Sequence, residues 1–152
     1  MDIASTLRVV DGHRLPGRPG VTEGQELRGL VGTEIPTDRI RVAMASYEPG
    51  TVEALHWHPI EAFYFITAGH AIVRDIEGTE TEAGPGHFVY APPGIGGAHE
   101  WKAVDNLELL SVRAIVESSR KLQFTVDKET LRSYVDVSDL VRRDAIEFPS
   151  HY

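Results

Sequence analysis

Short apolar runs separated by turn residues make up most of the chain. Pro-Gly pairs and single glycines lie between these runs. The runs are rich in β-branched and aromatic residues and cover residues 39–47, 62–66, 70–76, 87–91 and 107–116. Many short strands at this spacing are typical of a β-sandwich or barrel. The last run is almost continuously apolar, which predicts a strand that is covered on both faces.

The two ends of the chain have a different character. Residues 1–25 show no regular pattern and predict an irregular arm. Segments that begin at Asp127 and Ser138 resemble helix starts, and Ser138 is a candidate N-cap. We therefore expect short helices within about residues 127–147, after a β core at about 39–116. Because no repeat or long linker divides the chain, residues 1–152 predict a single domain.

The composition limits the chemistry. The chain has a formal net charge of −8 and no cysteine. An acidic chain is a poor fit to non-specific nucleic-acid binding, which needs a basic surface. Without cysteine, a metal must be bound by His, Asp or Glu. No apolar run approaches the ~20 residues of a membrane helix, and the first residues lack a secretory pattern, so we expect a cytoplasmic protein without a membrane partner.

Two histidines mark a candidate site. His56 and His58 are two positions apart in a segment with strand character, and residues i and i+2 of a strand face the same side. Their imidazoles can therefore meet at one point inside a barrel. The same spacing also fits two exposed or hydrogen-bonded histidines near the start of a strand, so the pair alone does not define a metal site.

The wider sequence resembles the two motifs of the cupin superfamily. The first motif, G-x5-H-x-H-x(3,4)-E-x6-G, is matched at its spacing by Gly50, His56, His58 and Gly69. The second motif, G-x5-P-x-G-x2-H-x3-N, is matched by Gly86, Pro92 and Gly94. The resemblance covers about residues 39–116 and implies an all-β cupin fold, a jelly-roll barrel also described as a double-stranded β-helix.

Two positions depart from these motifs. The family's metal-binding glutamate falls at Ala62, and the neighbouring Glu61 should face the other side of an ideal strand, unless a bulge turns it inward. The histidine of the second motif falls at Gly97, whereas His99 comes two residues later. A two-residue insertion in the turn can still bring His99 to the site. The alternative is an ordinary loop histidine.

The resemblance then implies one divalent metal held by three histidines, His56, His58 and His99. Three imidazoles leave two or three coordination positions open for substrate and for water or O₂. Without a carboxylate ligand the ion keeps its full charge, which favours an anionic chelating substrate. Imidazoles accept iron, zinc, nickel, manganese and copper, so the ligand set alone does not select the metal.

One cupin subgroup resembles this sequence at the two positions that depart from the general motifs. It consists of the three-histidine iron dioxygenases that cleave β-diketones such as acetylacetone. A tyrosine and an arginine of that subgroup are matched by Tyr64 and Arg74. The resemblance implies Fe(II) as the metal, a hydrogen bond from Tyr64 to a substrate oxygen, and an orienting role for Arg74. Tyr64 also fits an aromatic residue of the barrel core, and Arg74 also fits a surface residue of a strand. The subgroup's acidic residue before the last histidine has no counterpart here.

Three functions stay open at this point. The first is an iron dioxygenase that cleaves a C–C bond of a small diketone, enolate or hydroxy-ketone. The second is a redox-neutral, metal-dependent cyclase, isomerase or lyase. The third is a non-enzymatic cupin that binds a small ligand. Because edge strands need cover and small cupins commonly dimerise, we also expect a homodimer. Trp57 and Trp101 are expected to pack away from the metal.

Overall fold

The computed structural model describes residues 2–30, 35–116 and 123–135. Two short 3-10 helices lie in these ranges, at Gly12–Arg14 and Ile95–Gly97. The strands in chain order are β1 Arg18–Pro19, β2 Gln25–Gly29, β3 Ile40–Tyr47, β4 Val52–Trp57, β5 Ala62–Ala68, β6 Ala71–Asp75, β7 Glu80–Ala83, β8 Phe88–Ala91, β9 His99–Ala103, β10 Leu107–Ala114, β11 Phe124–Val126 and β12 Ser133–Tyr134. No described helix is long and apolar enough to cross a membrane.

The strands form two six-stranded sheets. One sheet has the order β1-β2-β3-β10-β5-β8, and the other has the order β12-β11-β4-β9-β6-β7. Neighbouring strands are antiparallel in both sheets. This arrangement confirms the all-β jelly-roll prediction.

The inner faces of the two sheets form the main core. Strand β10 illustrates the pattern: Leu107, Leu109 and Ser111 are buried, while the residues between them are partly exposed. Residues that alternate along a strand face opposite sides of the sheet, so one face of β10 points into the barrel. The core cluster also contains small side chains from β5, β6 and β9, including Ala62, which is 0% exposed. These small residues leave room for larger side chains on the facing strands.

The helix expected to begin at Asp127 is not formed, and that prediction is wrong. The Asp127 carboxylate accepts hydrogen bonds from the backbone N–H groups of Glu129 and Thr130, as at a helix N-cap. However, Leu131 has a left-handed φ of 57°, so the chain leaves the helical conformation after a single turn. The chain then pairs β12 with β11 as a hairpin. The second expected helix, beginning at Ser138, lies outside the described residues.

The N-terminal arm has little regular structure. After the short 3-10 helix, β1 pairs with β2 and so attaches the arm to the edge of the first sheet. His13 reaches the same sheet, because its Nε2 lies 2.9 Å from a carboxylate oxygen of Glu108.

Candidate metal centre

Three buried histidines meet inside the barrel. His56 lies near the end of β4, His58 follows that strand directly, and His99 is the first residue of β9. Strands β4 and β9 are paired so that His56 and His99 are directly opposite each other. One ring nitrogen from each histidine lies within 4.8 Å of the others. The structure thus places together the three residues that the sequence combined into one ligand set.

The glycine-rich turn before His99 explains why this histidine is displaced along the sequence. A Cβ atom on Gly97 would overlap the backbone carbonyl oxygen of Pro92, so no side chain fits at the position where the family's motif has its histidine. The 3-10 helix Ile95–Gly97 takes up the additional length, and the N–H of Gly94 donates to the carbonyl oxygen of His58 at 2.9 Å. The turn is therefore joined directly to a second member of the cluster.

Backbone hydrogen bonds orient two of the rings. The Nδ1 of His56 lies 2.6 Å from the carbonyl oxygen of Ala54, and the Nδ1 of His99 lies 2.9 Å from that of Gly97. A carbonyl oxygen can only accept, so each Nδ1 carries the proton and each Nε2 presents its lone pair to the cavity. Such partners fix the tautomer and orientation of metal-binding histidines.

Burial keeps these imidazoles neutral. It lowers the pKa of His56 to about 4, although the bond to Ala54 partly opposes the shift. It also lowers the pKa of His99 to about 3, with a further contribution from His56. Both rings are therefore neutral at neutral pH, with a proton on Nδ1 and a lone pair on Nε2, which is the form that binds a metal.

Tyr64 extends from β5 into the cluster. Its hydroxyl lies 3.1 Å from Nε2 of His99 and 3.5 Å from Nε2 of His58. Its ring packs edge-on against Trp101 at a centroid distance of 5.3 Å. Burial raises the pKa of the Tyr64 hydroxyl well above its usual value, so this group is a neutral hydrogen-bond donor at neutral pH.

A buried carboxylate, which the sequence reasoning missed, also enters the site. The Oε1 atom of Glu53 lies 3.4 Å from Nε2 of His56. Its Oε2 atom accepts a hydrogen bond from the Tyr47 hydroxyl at 2.8 Å, and Nε2 of Gln25 lies 2.7 Å from that hydroxyl and 3.5 Å from the carboxylate. Among the described residues, the group that could hold a metal ion is His56, His58 and His99, and Glu53 lies beside this group.

A β-bulge in β4 explains why the sequence did not indicate Glu53. Strict alternation would place Glu53 and His56 on opposite faces. The pairing of β4 with β9 shifts between these two residues. Ala54 is exposed, and Leu55 packs with Val126 in a separate cluster, so both intervening residues leave the barrel interior. A bulge of this kind re-aims a side chain, and no local pattern in the sequence marks it.

Arg74 is not brought to the cluster. Val73 packs against the core, so the next residue along β6 faces the other side of the sheet. A Cβ atom on Gly78, in the turn after β6, would lie 3.3 Å from Nη2 of Arg74. The guanidinium therefore lies beside that turn, outside the barrel interior, and Arg74 is not retained among the residues of the site.

Three further residues are close in sequence to the histidines and were expected to face away from the metal. Glu61 is exposed and accepts a hydrogen bond from the Tyr90 hydroxyl at 2.9 Å, so it faces away from the cluster. Trp57 also faces away, because it stacks on Phe124 at 4.4 Å. The expectation for Trp101 was wrong. This residue is two positions from His99 on the same strand, shares its face, and is 1% exposed in the main core.

Comparison with known proteins gives the same fold. Residues 43–113 match the Cupin domain family. No curated protein matches the chain. The family match supports the cupin superfamily over these residues, and the solved structures described next show the same fold.

Solved structures resemble this chain at low sequence identity. The polyketide cyclase RemF from Streptomyces resistomycificus has a TM-score of 0.69 and 17% identity, over 83% of this chain and 89% of that chain. KdgF from Halomonas sp. has a TM-score of 0.60 and 15% identity, over 76% and 98% of the two chains. An oxalate decarboxylase variant from B. subtilis has a TM-score of 0.61 and 20% identity, over 81% and 34%. At these identities the likeness shows the fold alone.

Proposed function

We propose that this chain, whose fold is that of the cupins, is a mononuclear metal enzyme acting on a small chelating substrate. His56, His58 and His99 are the proposed ligands. The observation that carries the proposal is the convergence of three buried imidazoles, two of which have their Nδ1 protons bound to backbone carbonyls. This arrangement leaves Nε2 lone pairs facing a common space inside the barrel.

The donor set fits a cation. The neutral His56 presents an Nε2 lone pair to Oε1 of Glu53 at 3.4 Å. A positive ion beside these two atoms would interact favourably with both the ring lone pair and the carboxyl oxygen. A bound divalent ion would supply Lewis acidity and, in the case of Fe(II), reactivity towards dioxygen.

The residues around the cluster define what the chain itself contributes. The Tyr64 hydroxyl, which now donates towards the histidine nitrogens, can turn its proton to a substrate oxygen when a metal occupies those lone pairs. Glu53 can accept a proton or a hydrogen bond at Oε1, because Tyr47 and Gln25 hold its other oxygen in place. Ile66, Leu107 and Leu109, all nearly fully buried, line the core beside them and exclude water.

Two reaction classes follow from this site. Dioxygenase chemistry with Fe(II) and C–C cleavage is the first candidate, since three protein ligands leave positions for both a chelating substrate and O₂. A redox-neutral cyclase, isomerase or lyase is the second candidate. Glu53 favours the second class, because a fixed carboxylate beside the cluster is suited to proton transfer at a carbon next to a carbonyl.

The test combines metal analysis with two assays on protein purified without a histidine tag. We expect one divalent metal per chain by elemental analysis. Oxygen uptake with a panel of β-diketones and hydroxy-ketones detects the dioxygenase. Anaerobic exchange of substrate C–H for deuterium, followed by NMR, detects the redox-neutral class. A protein that takes up no metal after incubation with Fe(II), Zn(II), Mn(II), Ni(II) or Co(II) contradicts the proposal.

A further inference from the structure

Arg113 lies on the inner face of the barrel, near the end of β10. Along β10, Leu107, Leu109 and Ser111 are the buried, inward-facing residues, and the same alternation continues to Arg113. Its cross-strand partner on β3 is Arg41, which continues the inward series of Ala43 and Ala45 in the same way. Both arginines are partly buried.

The charge of Arg113 acts on the histidine cluster. After the larger effect of burial, this charge contributes to lowering the pKa of His56 and of His99, and it also acts to lower the pKa of Tyr64. Three separate groups of the site therefore lie within reach of one guanidinium. Within residues 2–30, 35–116 and 123–135, no ion pair or hydrogen bond involves the side chain of Arg113.

The pairing of β10 with β5 shows which residue faces this arginine. Val112 is opposite Phe63 and Ser111 is opposite Tyr64, so one further step places Arg113 opposite Ala62. Ala62 occupies the position at which the cupin motif has a glutamate. The inner face of this chain therefore carries the Arg113 guanidinium beside the cluster. The residue opposite it, Ala62, offers no carboxylate to pair with that charge.

We propose that Arg113 binds a carboxylate group of the substrate, so that the site takes a small organic acid whose other oxygens face the histidines. A guanidinium presents two parallel N–H groups that match the geometry of a carboxylate. The neighbouring Arg41 adds positive charge to the same end of the barrel and attracts an anion. This inference rests on the proposed function and specifies the substrate class of the same site.

The test uses two ligands that share one chelating group. Acetylacetone and the anion of triacetic acid are both β-diketones, and the second carries an additional carboxylate. Their affinities for the Co(II)-loaded full chain are measured by calorimetry for wild type, Arg113→Gln, Arg113→Lys and Arg74→Gln. Arg74 is the matched control, because it is a partly buried arginine that faces away from the cluster.

We expect Arg113→Gln to lower the affinity for the anion of triacetic acid by about 10- to 100-fold, which is the usual effect of losing a hydrogen bond to a charged group. Acetylacetone should bind wild type and Arg113→Gln alike. Arg113→Lys should retain part of the preference for the anion, and Arg74→Gln should behave as wild type. Equal affinity of the triacetate anion for wild type and Arg113→Gln, or equal loss of both ligands, would overturn the inference. A wild-type chain that binds no Co(II) instead contradicts the proposed function itself.

Discussion

Replacement of Gly97 by alanine tests how the turn before β9 places His99. A Cβ atom at this position would overlap the carbonyl oxygen of Pro92 and lie 3.0 and 3.1 Å from the backbone carbon and nitrogen of the same residue. Backbone atoms cannot move aside as a flexible side chain can. The 3-10 helix Ile95–Gly97 must therefore shift, and with it the carbonyl oxygen that receives the Nδ1 proton of His99 at 2.9 Å.

Two magnitudes follow from this geometry. Inserting one methyl group into close-packed surroundings costs about 1–3 kcal/mol of unfolding free energy. Weakening the hydrogen bond that orients a ligating histidine lowers metal affinity by about 10- to 100-fold. Gly97→Ala should therefore lose both stability and metal affinity, although the substituted residue is not itself a ligand.

Gly96→Ala is the matched control in the same turn. A Cβ atom on Gly96 meets no atom within 4 Å, so this variant should stay within about 0.5 kcal/mol of wild type. Urea unfolding gives the stabilities, and competition with a chromophoric chelator gives the metal affinities. If the two variants behave alike in both measurements, the account of the turn is wrong.

The remaining predictions concern the site and the assembly. Glu53→Gln should retain the metal but lower turnover by about 10²- to 10⁴-fold, as expected for loss of a general base, whereas Glu61→Gln should change neither metal content nor rate. Metal analysis and rate measurement on both variants check this, and equal effects of the two would contradict the role of Glu53. Tyr64→Phe should keep the metal and reduce turnover roughly threefold to tenfold, because it removes one hydrogen bond; an unchanged rate would remove Tyr64 from the substrate contacts. The homodimer stays a prediction, supported by the exposed aromatic side chains of Phe63, Phe88 and Tyr90 on β5 and β8; light scattering that gave the mass of one 16.8 kDa chain would contradict it.

Much of the fold could be predicted because its signals are local. Turn residues separate short β-branched and aromatic runs, and each of these runs contains or forms a strand in the structure. The prediction of a helix at Asp127 was wrong because the same capping residue also suits a single hydrogen-bonded turn. The conformation of Leu131, which decides between the two outcomes, is set by the hairpin rather than by local preference.

The site was predictable only in part. The two-residue spacing of His56 and His58, at the end of β4 and directly after it, brings them together, and motif resemblance added His99. Glu53 could not be found by alternation, because the bulge in β4 exists only through the pairing with β9. Arg74 was placed by resemblance alone, whereas Arg113 follows from the register of three neighbouring strands, which the sequence does not display.

Metal stoichiometry in single-histidine variants tests the central claim most directly. His56→Ala, His58→Ala and His99→Ala are loaded with Zn(II) beside wild type and His87→Ala, and bound metal is counted by elemental analysis after dialysis. His87 is the control because its Nδ1 hydrogen-bonds the backbone of Gly84 outside the cluster. We expect one metal per chain in wild type and in His87→Ala, and loss of most of the metal in each of the other three variants. Full metal retention in His99→Ala would contradict the three-histidine centre.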